Sequence, residues 1–174
     1  MQISLFTNGK TNTKSVMKAS ISLAVAAMLL TVALAVPAAA QKQVPFKGSL
    51  QGQETDTPPG SGMVDGSATG IATLVGQFSF SYQLTVNLAN GTSTGSARLI
   101  AANGDSVYTT IAGSSELTAT PGVLSITEIN TITGGTGRFA SAQGSFIVER
   151  LVNLGTGFTS GSLHGTITSP GAAH

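Results

Sequence analysis

Three side chains that could contact a ligand lie among apolar residues in the sequence: Tyr82, Glu128 and Arg150. A carboxylate and a guanidinium inside a protein can bind a polar group and shift each other's pKa, and a tyrosine hydroxyl can hydrogen-bond a ligand. At a spacing of two residues, Glu128 and Arg150 each share a face with three apolar residues, which are Leu124, Ile126 and Ile132 for the first and Phe146, Val148 and Val152 for the second. We predict all three as ligand-binding candidates.

Each candidate also has a purely structural interpretation. Glu128 and Arg150 could form a buried ion pair, and Tyr82 could pack in the core with its hydroxyl satisfied. The face assignment is itself open, because Ile129 and Ile147 place apolar side chains on the opposite face. Both the binding and the structural interpretation of these residues are consistent with the sequence.

Other familiar chemistries are not indicated. The chain has no cysteine, which excludes thiolate ligands, disulfides and cysteine nucleophiles. His164 is the single histidine inside the predicted domain, and one histidine with scattered carboxylates does not indicate a transition-metal site. Gly135-x-Gly137-x-x-Ala140 fits the dinucleotide fingerprint, but strand-like residues follow it where that fingerprint requires a helix. The nucleophile elbow of a serine hydrolase lies on a strand-to-helix turn, and no segment after Ala40 has the periodicity of a helix. We therefore predict no catalytic residue, no metal and no cofactor.

The charge balance argues against nucleic acid as a partner. Eight lysines and arginines stand against seven carboxylates, but three of the lysines precede a long apolar run. From residue 41 onward, five basic residues stand against seven acidic ones, a net charge of −2 over 134 residues. A nucleic-acid-binding protein needs a basic surface, which this chain lacks.

The first 40 residues resemble a secretory signal peptide. Lys10, Lys14 and Lys18 precede an apolar segment at 19–36, and small residues of the A-x-A kind end at Ala40. The alternative is a retained transmembrane helix, since 18 apolar residues approach the length that spans a bilayer. We predict cleavage after Ala40, no stable membrane anchor afterwards, and an exported protein, periplasmic or extracellular.

Residues 41–174 predict a single all-β domain. In the segment 77–88, six apolar residues alternate strictly with six polar ones, and Asn90-Gly91, a strong hairpin signal, follows. The predicted strands are 44–53, 67–75, 77–88, 92–102, 106–112, 123–133, 143–152 and 157–168. Turn signals at this spacing favour an eight-stranded antiparallel up-and-down barrel, with a β-sandwich as the alternative.

The segment 132–146, ITGGTGRFASAQGSF, resembles the glycine-rich segment of the allene oxide cyclase and dirigent-like barrel proteins. AANGD at 101–105 and PGVLSITE at 121–128 are similar to exported bacterial members of that class. The resemblance implies an eight-stranded barrel, often oligomeric, whose cavity in some members guides cyclisation or radical coupling. No catalytic residue of the family aligns through a motif here, and none is transferred.

Two functions are consistent with these observations. The first is a non-catalytic barrel that binds a small apolar ligand or self-assembles into a homo-oligomer. The second is an isomerase or cyclase of the allene oxide cyclase kind, which steers a reactive hydrophobic substrate by confinement. The second predicts a continuous cavity reached from one rim and lined by Phe78, Phe80 and Tyr82, with Glu128 nearby.

Overall fold

The computed structural model describes residues 42–168, which form a closed barrel of eight antiparallel strands in sequential order, with the last strand pairing with the first. The predicted up-and-down barrel is confirmed. The predicted signal peptide, 1–40, lies outside the described residues. The strands are β1 (Gln43–Asp56), β2 (Met63–Ala72), β3 (Gly76–Val86), β4 (Thr92–Ala101), β5 (Ser106–Leu117), β6 (Val123–Gly135), β7 (Gly144–Asn153) and β8 (Phe158–Thr168).

The first and fifth strands run several residues beyond the ends that the sequence pattern predicted. The first strand continues to Asp56 and the second begins at Met63, so the interval 54–66 between the two predicted strands shrinks to residues 57–62. The fifth strand runs to Leu117 rather than ending at Ala112, because the small residues after Ala112 pair with β6 from Glu128 to Leu124. Hydrogen bonding to a neighbouring strand outweighs weak local propensity in both cases.

The structure decides the face assignment that the sequence left open for β3, β6 and β7. Tyr82, Glu128 and Arg150 are buried, whereas Ile129 faces outward with 51% of its surface exposed. Ile147, on the outer face of β7, is only partly buried. Apolar residues therefore lie on both sides of these strands, but the strict alternation determines which side chains enter the barrel.

Glycines opposite large side chains make room inside the barrel. Gly66 pairs with Tyr82 across β2 and β3, and a Cβ on Gly66 would overlap the tyrosine ring. Gly161 pairs with Arg150 across β7 and β8, where an added Cβ would lie 2.6 Å from the arginine Cβ. The high glycine content is therefore partly a packing requirement of the interior, because a close-packed core has no spare volume.

The two ends of the barrel differ. The closed end carries the connections β2–β3, β4–β5 and β6–β7, and the last of these contains a short 3-10 helix, Gly137–Phe139. Phe139 is completely buried there, and the rings of Phe46 and Phe146 meet edge to face nearby, 5.2 Å between centroids. The open end carries the four other connections. Among the described residues, no helix has the length and apolarity needed to cross a membrane.

Candidate functional site

An ionic cluster crosses the barrel interior toward the open end. We call it the floor; it comprises Glu54 on β1, Tyr82 on β3, Glu128 on β6 and Arg150 on β7. Arg150 is central: its Nε and Nη2 donate to the two carboxylate oxygens of Glu128 at 3.1 and 2.9 Å. Its Nη1 donates to Glu54 Oε2 at 2.6 Å and to Thr159 Oγ1 at 3.1 Å. The side chains of Glu128 and Arg150 are each only 2% exposed.

Tyr82 supports the cluster in two ways. Its hydroxyl donates to Glu54 Oε2 at 2.8 Å, and its ring lies 5.1 Å from the guanidinium carbon of Arg150. Burial is the main cause that raises the pKa of Tyr82 above its ordinary value, against the opposing charge of Arg150. Tyr82 therefore stays neutral and acts as a hydrogen-bond donor in the physiological range.

Arg150 keeps its charge despite burial. Burial alone would lower its pKa, but the hydrogen bonds and negative charge of Glu128, followed by Tyr82 and Glu54, outweigh that effect and raise the pKa above the ordinary value. The bidentate pairing with Glu128 is the strong form of the arginine–carboxylate interaction. The guanidinium is therefore a fixed cation in this site.

A cavity of about 190 Å³ lies above the floor and opens at the open end of the barrel. Glu54, Glu128 and Arg150 contribute to its lining, and the rest of the wall is mostly apolar. The apolar lining residues are Val64, Leu84, Val86, Leu88, Leu124, Ile126, Val152 and Leu154. Leu88 and Leu154, from the β3–β4 and β7–β8 connections, are 64% and 60% exposed, so the mouth presents apolar surface to solvent.

The three predicted candidates come together, but the predicted lining of the cavity is wrong. Phe78 and Phe80 do not line it, because they lie further toward the closed end and fill the barrel there. Tyr82 is also outside the lining, since its ring packs against Gly66 and its hydroxyl is engaged by Glu54. The cavity is therefore confined to the open end instead of running through the barrel.

Sequence reasoning missed Glu54. The predicted first strand ended at Gln53, which placed Glu54 in a loop. A signal was present: Phe46, Leu50 and Glu54 are separated by four residues each, so an unbroken strand puts all three on one face. Extending the alternation by a single residue would have brought Glu54 into the interior.

The glycine-rich segment has a structural role, and His164 lies outside the cavity. Gly137 in the glycine-rich segment has a positive φ of 54°, and the turn it begins places Phe139 in the closed end. Asp105 accepts a hydrogen bond from the backbone of Arg138 at 3.3 Å in that turn. His164 faces outward, with 48% of its side chain exposed. Within residues 42–168, no three His, Asp or Glu side chains are placed to hold a metal ion.

The fold and the site define a closed eight-stranded barrel with a small cavity above a buried ionic floor. Protein-family models, curated proteins and solved structures show no match to this chain. The resemblance of the segment 132–146 to allene oxide cyclase and dirigent-like barrels stays a prediction from sequence motifs, and the functional argument rests on the site.

Proposed function

We propose that this protein is an exported, non-catalytic barrel that binds one small, largely apolar ligand in the cavity at its open end. The observation that carries the proposal is the cavity of about 190 Å³ with apolar walls and an ionic floor. Eight-stranded barrels are either filled by side chains or hold one small ligand. Because an apolar cavity of about 150 Å³ accepts benzene, this one is large enough for a substituted ring.

Tyr82 and Arg150 are not suited to general acid–base catalysis. General acid–base catalysis needs a group that exchanges protons near the working pH. The pKa values of Tyr82 and Arg150 are both raised above ordinary values that are already high, so neither group exchanges protons near neutrality. An isomerase or cyclase acting by confinement alone would use the same cavity and differ only in releasing an altered molecule.

Native mass spectrometry of the protein recovered from cells that express the full chain tests the proposal. We expect a fraction of the protein to carry a small molecule, and the same spectrum reports the cleavage site and any homo-oligomer. Val86→Phe fills the cavity and should remove the bound mass, whereas Thr85→Phe, on the outer face of the same strand, should retain it.

Retention of the bound mass by Val86→Phe would place the ligand elsewhere and refute the proposal. Recovery of an empty protein that also binds no added aromatic probe would favour a purely structural or self-assembling barrel. Conversion of the released molecule on re-addition to fresh protein would favour the isomerase or cyclase.

A further inference from the structure

The charges that surround the cavity do not balance. Among the described residues that line it, Arg150 is the sole cation, whereas Glu54, Asp56 and Glu128 are anions. At the floor itself two carboxylates face one guanidinium, a formal charge of −1. Asp56, nearer the mouth, accepts hydrogen bonds from the Gly60 backbone and the Ser61 hydroxyl. The cavity therefore has an excess of negative charge at both its floor and its mouth.

One of the four carboxylate oxygens at the floor has no donor among the described residues. Both oxygens of Glu128 accept hydrogen bonds from Arg150, and Oε2 of Glu54 accepts from Tyr82 and Arg150. Within residues 42–168, Glu54 Oε1 has no hydrogen-bond donor, and Glu54 lines the cavity with 12% of its side chain exposed. This oxygen is available to a donor on a ligand.

The donors at the floor are nearly all in use. Arg150 makes four hydrogen bonds from its five N–H groups, and the Thr159 hydroxyl donates to the Leu151 carbonyl. An anionic ligand would find one remaining N–H group against a net negative charge. A ligand that brings its own donor and a positive charge would satisfy Glu54 and neutralise the floor.

We propose that the cavity selects organic cations that join a protonated amine to a compact apolar body. This inference rests on the proposed function and specifies its ligand class. The amine donates to Glu54 Oε1 at the floor, and the apolar body lies against the leucine and valine wall. The exposed Leu88 and Leu154 at the mouth extend that wall, so a longer apolar tail would lie over them.

Three probes of one shape and different charge test the inference on the full chain as purified: benzylammonium, benzyl alcohol and benzoate, followed by isothermal titration calorimetry at neutral pH. We expect benzylammonium to bind about tenfold more tightly than benzyl alcohol, because only the ammonium adds a Coulomb attraction to the net negative charge of the floor. Benzoate should bind most weakly. Glu54→Gln should lower benzylammonium affinity about tenfold and lower benzyl alcohol affinity by a smaller factor.

Asp65→Asn is the matched control, because it removes one negative charge from the outer face of β2, where Asp65 accepts a hydrogen bond from Gln83. It should leave all three affinities unchanged. Equal binding of benzylammonium and benzyl alcohol, or tightest binding of benzoate, would overturn the selectivity for amines while leaving a ligand-binding barrel in place. Absence of binding by all three probes would overturn both proposals.

Discussion

Removal of the central cation should strongly destabilise the barrel. The side chain of Arg150 is 2% exposed and makes four hydrogen bonds, three of them to carboxylates. Arg150→Met leaves Glu54 and Glu128 facing each other without a counter-charge. Loss of one partner from a buried ion pair costs about 3–5 kcal/mol, so we expect a decrease of that size in the free energy of unfolding at neutral pH.

Equilibrium urea unfolding followed by circular dichroism measures this effect. With a urea dependence of about 1–3 kcal/mol per molar for a small domain, the midpoint should fall by at least about 1 M. Arg138→Met is the matched control, because Arg138 lies 3.6 Å from Asp105 in an ion pair that is 40% and 22% exposed. An exposed pair contributes about 0–1 kcal/mol.

The double variant Glu128→Gln/Arg150→Met separates charge from packing. It removes one of the two uncompensated carboxylates, so it should be more stable than Arg150→Met alone. A loss below about 1 kcal/mol in Arg150→Met, or a double variant no more stable than Arg150→Met, would refute the description of the floor as a desolvated ion cluster.

Three further perturbations have definite expected outcomes. Because burial raises the pKa of Tyr82 from its ordinary value of 10.0, the folded state holds this proton more tightly than the unfolded state. The stabilisation from this proton is complete below about pH 10 and is lost at higher pH, by up to about 1.4 kcal/mol per pH unit. In urea unfolding at alkaline pH, the free energy of unfolding should therefore fall less steeply with pH in Tyr82→Phe than in wild type. Gly66→Ala should cost about 1–3 kcal/mol in thermal unfolding, because its Cβ would overlap the Tyr82 ring, whereas Gly155→Ala in the β7–β8 connection should cost less. Asn130 is completely buried, its Nδ2 has no hydrogen-bond partner among residues 42–168, and its Oδ1 accepts from the Thr109 hydroxyl. Asn130→Leu alone would leave the Thr109 hydroxyl without this acceptor, so Thr109→Val/Asn130→Leu should be more stable in urea than Asn130→Leu.

The strands could be predicted from the sequence because the alternation that defines each face is visible within a short stretch of chain. A period of two decides which residues share a face, and it grouped Tyr82, Glu128 and Arg150 with apolar residues that the structure buries, despite the contrary apolar residue Ile129. Hairpin signals such as Asn90-Gly91 then ordered the strands as sequential neighbours. Both signals lie within about ten residues of chain, which is the range over which a single sequence is informative.

The contacts across the barrel could not be read in the same way. Glu54 and Arg150 are 96 residues apart, and their strands are not neighbours, because β8 separates β1 from β7. The tilt and stagger of the closed sheet determine which residues of two such strands lie opposite each other across the barrel. Composition and periodicity do not contain that information, so the site could be predicted as three candidate residues but not as a cluster with Glu54.

The free-energy cost of burying the charges of the floor is an argument that they have a function. Replacing a buried ion pair by well-packed apolar residues is often neutral or stabilising, so stability alone does not require these charges. Only 12 residues from position 41 onward are charged, and three of them, Glu54, Glu128 and Arg150, lie in the floor. A structural ion pair would need one carboxylate for Arg150, and Glu128 already binds it through both oxygens. Glu54 is a second carboxylate, and its Oε1 has no donor within the described chain. Packing does not explain this feature, whereas a ligand that brings its own donor does.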